Sequence, residues 1–161
     1  MLKHSKGNLI DMAEQGLFDV IVHGCNCQNT MGSGIAKEIR ARYPEAYEAD
    51  TEAHKPYGLH PIELLGNFSR AVSTWHSQYF VIVNAYTQVN YLPRGVDHFE
   101  YDSFALILRK LAAVYPGKRF GFPYIGMGLA AGNGFRIMNM LEEFAQAIEK
   151  TGGSATLVEF G

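Results

Sequence analysis

The chain has 161 residues, is 47% hydrophobic and 19% charged, and carries a formal net charge of −2. That length fits one domain with a real core, and the mild acidity argues against the basic face that grips a nucleic-acid groove or backbone. No stretch approaches the ~20 apolar residues of a membrane span, so no membrane contact is expected.

The opening Met1-Leu2-Lys3-His4 carries no signal-peptide pattern. Cys25 and Cys27 stand one residue apart and are poorly placed to pair with each other. Both are therefore expected to be reduced, in an intracellular, cytoplasmic protein.

The expected elements alternate along the chain. Residues 9–14 read as a short helix after Gly7-Asn8, and 18–22 as a buried strand, short and rich in β-branched residues. A helix over 35–43 stops near Pro44, and 45–53 forms another short helix. Residues 62–68, 71–75 and 79–85 read as three strands, the last the most apolar. Asp97 is a candidate cap for a helix reaching residue 115, with Phe104, Leu108, Leu111 and Tyr115 on one face. Strand 118–122 follows. A helix over 136–149 carries the stripe Ile137, Leu141, Phe144 and Ile148, and 155–160 is the closing strand. Strands alternating with helices predict an α/β sheet covered on both faces.

In open α/β sheets, ligands bind beyond the carboxyl ends of the strands. Two glycine-rich loops take that position. One runs from Gly24 to Gly34, and the other is Gly126-Met127-Gly128-Leu129-Ala130-Ala131-Gly132. Glycine lets successive N–H groups approach one anion, and the helix that follows each loop adds a partial positive charge. Two such loops suit a diphosphate clamped from both sides. Neither has the Gly-Lys-Ser/Thr of a Walker A loop or the dinucleotide fingerprint spacing.

The runs Gly7-Asn8-Leu9, Val22-His23-Gly24-Cys25-Asn26-Cys27, Met31-Gly32-Ser33-Gly34-Ile35-Ala36 and Phe122-Pro123-Tyr124-Ile125-Gly126-Met127-Gly128-Leu129 resemble the macrodomain family, in order and spacing, over nearly the whole chain. The resemblance implies one macrodomain over 1–161, a three-layer α/β/α fold with a mixed central sheet and an ADP-ribose cleft at the sheet's edge. It implies that the first loop (Gly32, Ser33, Gly34 and Ile35) wraps the distal ribose. Together with Gly126, Met127, Gly128 and Leu129 of the second loop, it holds the diphosphate. Asn26 matches the asparagine that faces the distal ribose. Asn8 stands where many members place an aspartate that reads the adenine amino group. Leu9 and Phe160 are expected to flank the adenine. Tyr86 is expected either to pack on the ligand or to cover the core.

His-Gly-Cys-Asn-Cys is most similar to the branch that removes phosphate from ADP-ribose 1''-phosphate, where the histidine is implicated in catalysis. His23 is thus the candidate catalytic residue, since imidazole handles protons near neutral pH. The alternative is a buried histidine bonded to a neighbouring carbonyl. The expected ligand is ADP-ribose or its 1''-phosphate.

Two rival functions remain: an ADP-ribosyl hydrolase acting on modified protein or nucleic acid, and a non-catalytic ADP-ribose reader. Hydrolases of the family that work through a lysine adduct carry an aspartate where this chain has Ala130, and a lysine within the stretch equivalent to Asn84-Ala85-Tyr86-Thr87. This chain has neither. Cys25 and Cys27 form half a metal site with no second pair, so no metal and no cofactor is expected and both read as packing residues. Asp97, His98, Glu100 and Asp102 read as an acidic helix start.

Overall fold

The computed structural model describes residues 1–32, 34–58, 60–90, 96–125 and 133–161. Within them the elements run β1 (Lys3–Gly7), α1 (Leu9–Glu14), β2 (Val20–Asn26), α2 (Gly34–Arg42), α3 (Pro44–His54), β3 (Phe68–Trp75), β4 (Gln78–Gln88), α4 (Tyr101–Val114), β5 (Arg119–Phe122), α5 (Gly134–Glu149) and β6 (Ser154–Phe160). Among the described residues the strands form one mixed sheet in the order β1-β6-β5-β2-β4-β3. All neighbours are parallel except the β3–β4 hairpin.

Helices cover both faces, as the three-layer expectation required. On one face Val20, Val22, Val83, Phe120 and Phe122 pack against Phe104, Ile107 and Leu111 of α4 and against Ile137, Leu141, Phe144 and Ile148 of α5. These α5 positions are the predicted stripe. Burying each such side chain is worth roughly 1.5–3 kcal/mol. On the other face Ile21, Phe80 and Ile82 meet Leu9, Ile10 and Ala13 of α1, Ile39 of α2 and Ala46 of α3.

Four expectations need correction. Strand β1 was not anticipated, because Lys-His-Ser-Lys-Gly has no apolar alternation and lies mostly exposed at the sheet edge. Its pairing to β6 comes from backbone hydrogen bonds, which a hydrophobic pattern does not report. The strand expected over 62–68 is instead a 3₁₀ turn, Pro61–Leu64, and only Phe68 enters β3. Proline at the first position suits a helical turn and lacks the N–H a ladder needs. Asp97 does not cap α4, which begins at Tyr101 after Glu100. The Asp97 carboxylate accepts from Phe99 N at 3.1 Å and from the Tyr101 hydroxyl at 2.7 Å. Finally, β2 runs on to Asn26, so His23, Gly24 and Cys25 belong to a strand and not to a loop.

The sheet order has a consequence for ligand binding. From β2 the chain moves to β3 and β4 on one side; from β5 it moves to β6 on the other. Between the parallel neighbours β2 and β5 the winding direction reverses. Such a switch point opens a crevice at the carboxyl ends of the strands, and in the sequence a glycine-rich stretch follows each of these two strands.

Candidate functional site

The β2–α2 loop is held from below. Asn26 Oδ1 accepts from Gln28 N at 2.8 Å, and Asn26 Nδ2 donates to Thr30 Oγ1 at 3.0 Å. The first bond is an Asx turn, the local fold that an asparagine offers to its own backbone. Helix α3 supports the loop, with the Tyr47 hydroxyl donating to Asn29 O and Thr51 Oγ1 to Asn29 Oδ1, each at 3.2 Å. Arg40 of α2 donates to Thr30 O at 2.9 Å. The support holds Asn29 at φ 57° and Met31 at φ 42°, conformations that side chains seldom adopt. Met31 is buried as the loop's apolar anchor. Gly34 opens α2 at φ +57°, and no atom lies within 4 Å of where a Cβ would stand. Alternating backbone handedness of this kind turns N–H groups toward a common point and favours an anion there.

Asn26 closes β2, Gly32 lies in the loop that follows, and Gly34 opens α2, where Ile35 is half-buried. Ser33 and the second-loop residues Gly126, Met127, Gly128 and Leu129 lie outside the described residues. At the end of β1, Gly7, which precedes Asn8, pairs with Phe160 of β6, a residue 81% exposed. Asn8 Oδ1 caps α1 by accepting from Asp11 N at 3.0 Å, and its Nδ2 donates to Glu38 Oε1 at 3.2 Å. Leu9 is buried in the core beneath.

Two predicted site residues are buried. Tyr86 is fully buried. Its hydroxyl donates to Asp50 Oδ1 at 2.6 Å and lies 2.8 Å from Ser69 Oγ. Of the two readings open for Tyr86, the structure places it in the core, because it packs on the α3 side of β4 with Cys25, Cys27 and Leu64. His23 is 1% exposed, with Nε2 2.7 Å from Asn84 Oδ1 on the neighbouring strand. Burial pulls its pKa down to about 4, partly opposed by the Asn84 bond, so the ring is neutral at neutral pH.

Both cysteines are buried and reduced. Burial, reinforced by the Asp50 charge, pushes the Cys25 thiol well up and the Cys27 thiol to about 12. Neither is a nucleophile in this state. Among the described residues no group of three or more His, Cys, Asp or Glu is placed to hold a metal ion, and no helix is long and apolar enough to cross a membrane.

Sequence reasoning did not assign Asn84 as the partner of His23. Its signal was there: a lone amide inside the apolar run 80–86, a buried polar group that needs a partner. Asp50, 1% exposed on α3, had no such signal, because α3 is rich in acids.

Set against solved structures, the chain superposes over 98% of its length on 97% of the macrodomain of Mycobacterium tuberculosis DarG, with a TM-score of 0.76 at 19% identity. The fold is that of the macrodomains. A second neighbour, Thermosipho africanus DarTG in complex with ADP-ribose, matches 91% of this chain and 39% of its own at a TM-score of 0.69 and 14% identity. By sequence, an uncharacterized 17.5 kDa protein of Enterobacteria phage T4 is 28% identical over 153 residues, 92% of this chain and 93% of its own. An ADP-ribose 1''-phosphate phosphatase of Scheffersomyces stipitis is 34% identical over 68 residues, 41% of this chain. That match spans 39% of the phosphatase. No protein-family model matches the chain.

Proposed function

We propose that this macrodomain-fold chain binds ADP-ribose and hydrolyses ADP-ribose 1''-phosphate to ADP-ribose and phosphate. The observation that carries the binding is the reversal of winding between the parallel neighbours β2 and β5, the two strands that the glycine-rich stretches follow in the sequence. A diphosphate between them would meet backbone N–H groups and two helix N-termini. The ADP-ribose complex of a neighbour with the same fold supports the ligand. Local similarity to ADP-ribose 1''-phosphate phosphatases supports the reaction.

In that reaction water attacks phosphorus, the bond to the ribose 1''-oxygen breaks, and that oxygen takes up a proton. The chain needs donors for the phosphoryl oxygens and a group that moves the proton. The loop amides supply the first. His23 is the group proposed for the second. A neutral imidazole suits the role of acceptor of the water's proton, and the nitrogen free to accept it is Nδ1, because Nε2 is bonded to Asn84 Oδ1.

Incubating the pure protein separately with ADP-ribose 1''-phosphate and with an ADP-ribosylated protein tests the proposal. Release of phosphate from the first, with the second untouched, is expected. Release of ADP-ribose from the second would make the chain an ADP-ribosyl hydrolase. Micromolar binding of ADP-ribose with neither reaction would make it a reader.

A further inference from the structure

The β2–β4 ladder breaks register once. Cys25 pairs with Tyr86 and Asn26 with Gln88, which leaves Thr87 as the extra residue of a bulge. Bulges re-aim a side chain and are common beside functional sites. This one stands at the root of the first glycine-rich loop, one pair before Asn26.

Thr87 is fully buried, and its Oγ1 has no hydrogen-bond partner among the described residues. Its backbone is well held, with Glu100 N donating to Thr87 O at 2.8 Å. The hydroxyl alone is left over, although buried hydroxyls almost always find a partner. Its surroundings locate it. A Cβ on Gly24 would stand 3.0 Å from Thr87 Oγ1 and 3.0 Å from Ile125 Cγ2. The hydroxyl therefore occupies space that a side chain at position 24 would take, beside the residue that leads into the second glycine-rich loop. Thr87 thus lies beside Gly24 of β2 and Ile125, and the group left unsatisfied there is a hydroxyl, which can donate as well as accept.

Resting on the ADP-ribose 1''-phosphate reading above, we infer that Thr87 is a specificity-determining residue whose Oγ–H donates to an oxygen of the ligand's terminal phosphate. A bond to a charged acceptor is stronger than one to a neutral hydroxyl, so the residue favours the phosphorylated ligand over ADP-ribose.

The test compares wild type with Thr87→Val, which keeps the shape and removes the hydroxyl, and with Thr87→Ser, which keeps the hydroxyl. Thr87→Val should lower kcat/KM for ADP-ribose 1''-phosphate tenfold or more. Its affinity for ADP-ribose should stay within about twofold, and its Tm should equal or exceed that of wild type, because an unpartnered buried polar atom has been removed. Thr87→Ser should restore most of the turnover. A Thr87→Val protein with wild-type kcat/KM overturns the inference. So does one with a lowered Tm and unchanged turnover, which would assign the hydroxyl to structure. Should the wild type bind ADP-ribose without hydrolysing the phosphate, the affinities of wild type and Thr87→Val for ADP-ribose 1''-phosphate decide instead: a tenfold loss in the variant supports the inference, and equal affinities overturn it. A wild type that binds neither ligand overturns the ADP-ribose reading itself and this inference with it.

Discussion

His23 of β2 and Asn84 of β4 stand in register across adjacent parallel strands, with Nε2 and Oδ1 2.7 Å apart. Asn84 Nδ2 donates to Ala46 O and to Ser69 Oγ, each at 3.0 Å. That fixes the amide with its oxygen toward the histidine, so Nε2 carries the proton and donates. Cys25 Sγ sits against the ring, 3.7 Å from Nδ1 and 3.6 Å from Nε2, with its thiol protonated. The whole network is neutral, and it ties the end of β2 to β4, β3 and α3.

His23→Asn separates proton chemistry from support. It keeps a hydrogen-bonding amide in the strand and removes the titratable ring. If His23 moves the proton, hydrolysis of ADP-ribose 1''-phosphate falls by roughly 10²-fold or more, while calorimetry shows ADP-ribose bound as by wild type. Turnover at the wild-type rate would assign His23 to holding the strand end.

Stability should depend on pH through the same residue. The pKa of His23 is about 4 in the folded protein against an ordinary 6.5. Between those values the unfolded chain binds a proton that the native state refuses. Full stability is thus present above about pH 6.5 and is lost as the pH falls toward 4, by up to about 3 kcal/mol. Urea titrations at pH 7.5 and 4.5 read the difference. Asp50, whose carboxyl burial pushes up, acts in the opposite sense, so the comparison with His23→Asn isolates the histidine. Equal pH slopes in the two proteins would refute the assignment.

Gly34→Val addresses the first loop. At φ +57° a side chain costs about 1–2 kcal/mol, but nothing lies within 4 Å to clash with it. The fold should survive with a lowered Tm, and ADP-ribose binding should be lost, because the branched side chain fills the open space over the loop. Wild type should bind ADP-ribose in the micromolar range, about −8 kcal/mol, and AMP much more weakly. Equal affinities for AMP and ADP-ribose would rule out a clamp on the diphosphate.

Phosphate release should persist in EDTA. The described residues hold no cluster of metal-ligating side chains, and the proposed chemistry uses amides, hydroxyls and one imidazole. Activity lost on chelation and regained with Mg²⁺ or Zn²⁺ would mean that a metal takes part.

Much of the architecture was legible along the chain. The stripe Ile137, Leu141, Phe144 and Ile148 announced α5, and the apolar runs announced β2 and β4, because core-facing residues recur with the period of their element. Glycines after β2 and β5 marked both loops, since the need for positive φ or close approach is local. Tertiary structure decided the rest. β1 forms because β6 offers it a ladder, and its own residues show no pattern. His23, Asn84 and Tyr86 are distant in sequence or separated by a turn of the pleat. That all three turn to the α3 face of the sheet depends on strand register, and a shift of one residue would exchange the two faces. The bulge at Thr87 is such a shift, and it exists only where two strands are laid side by side.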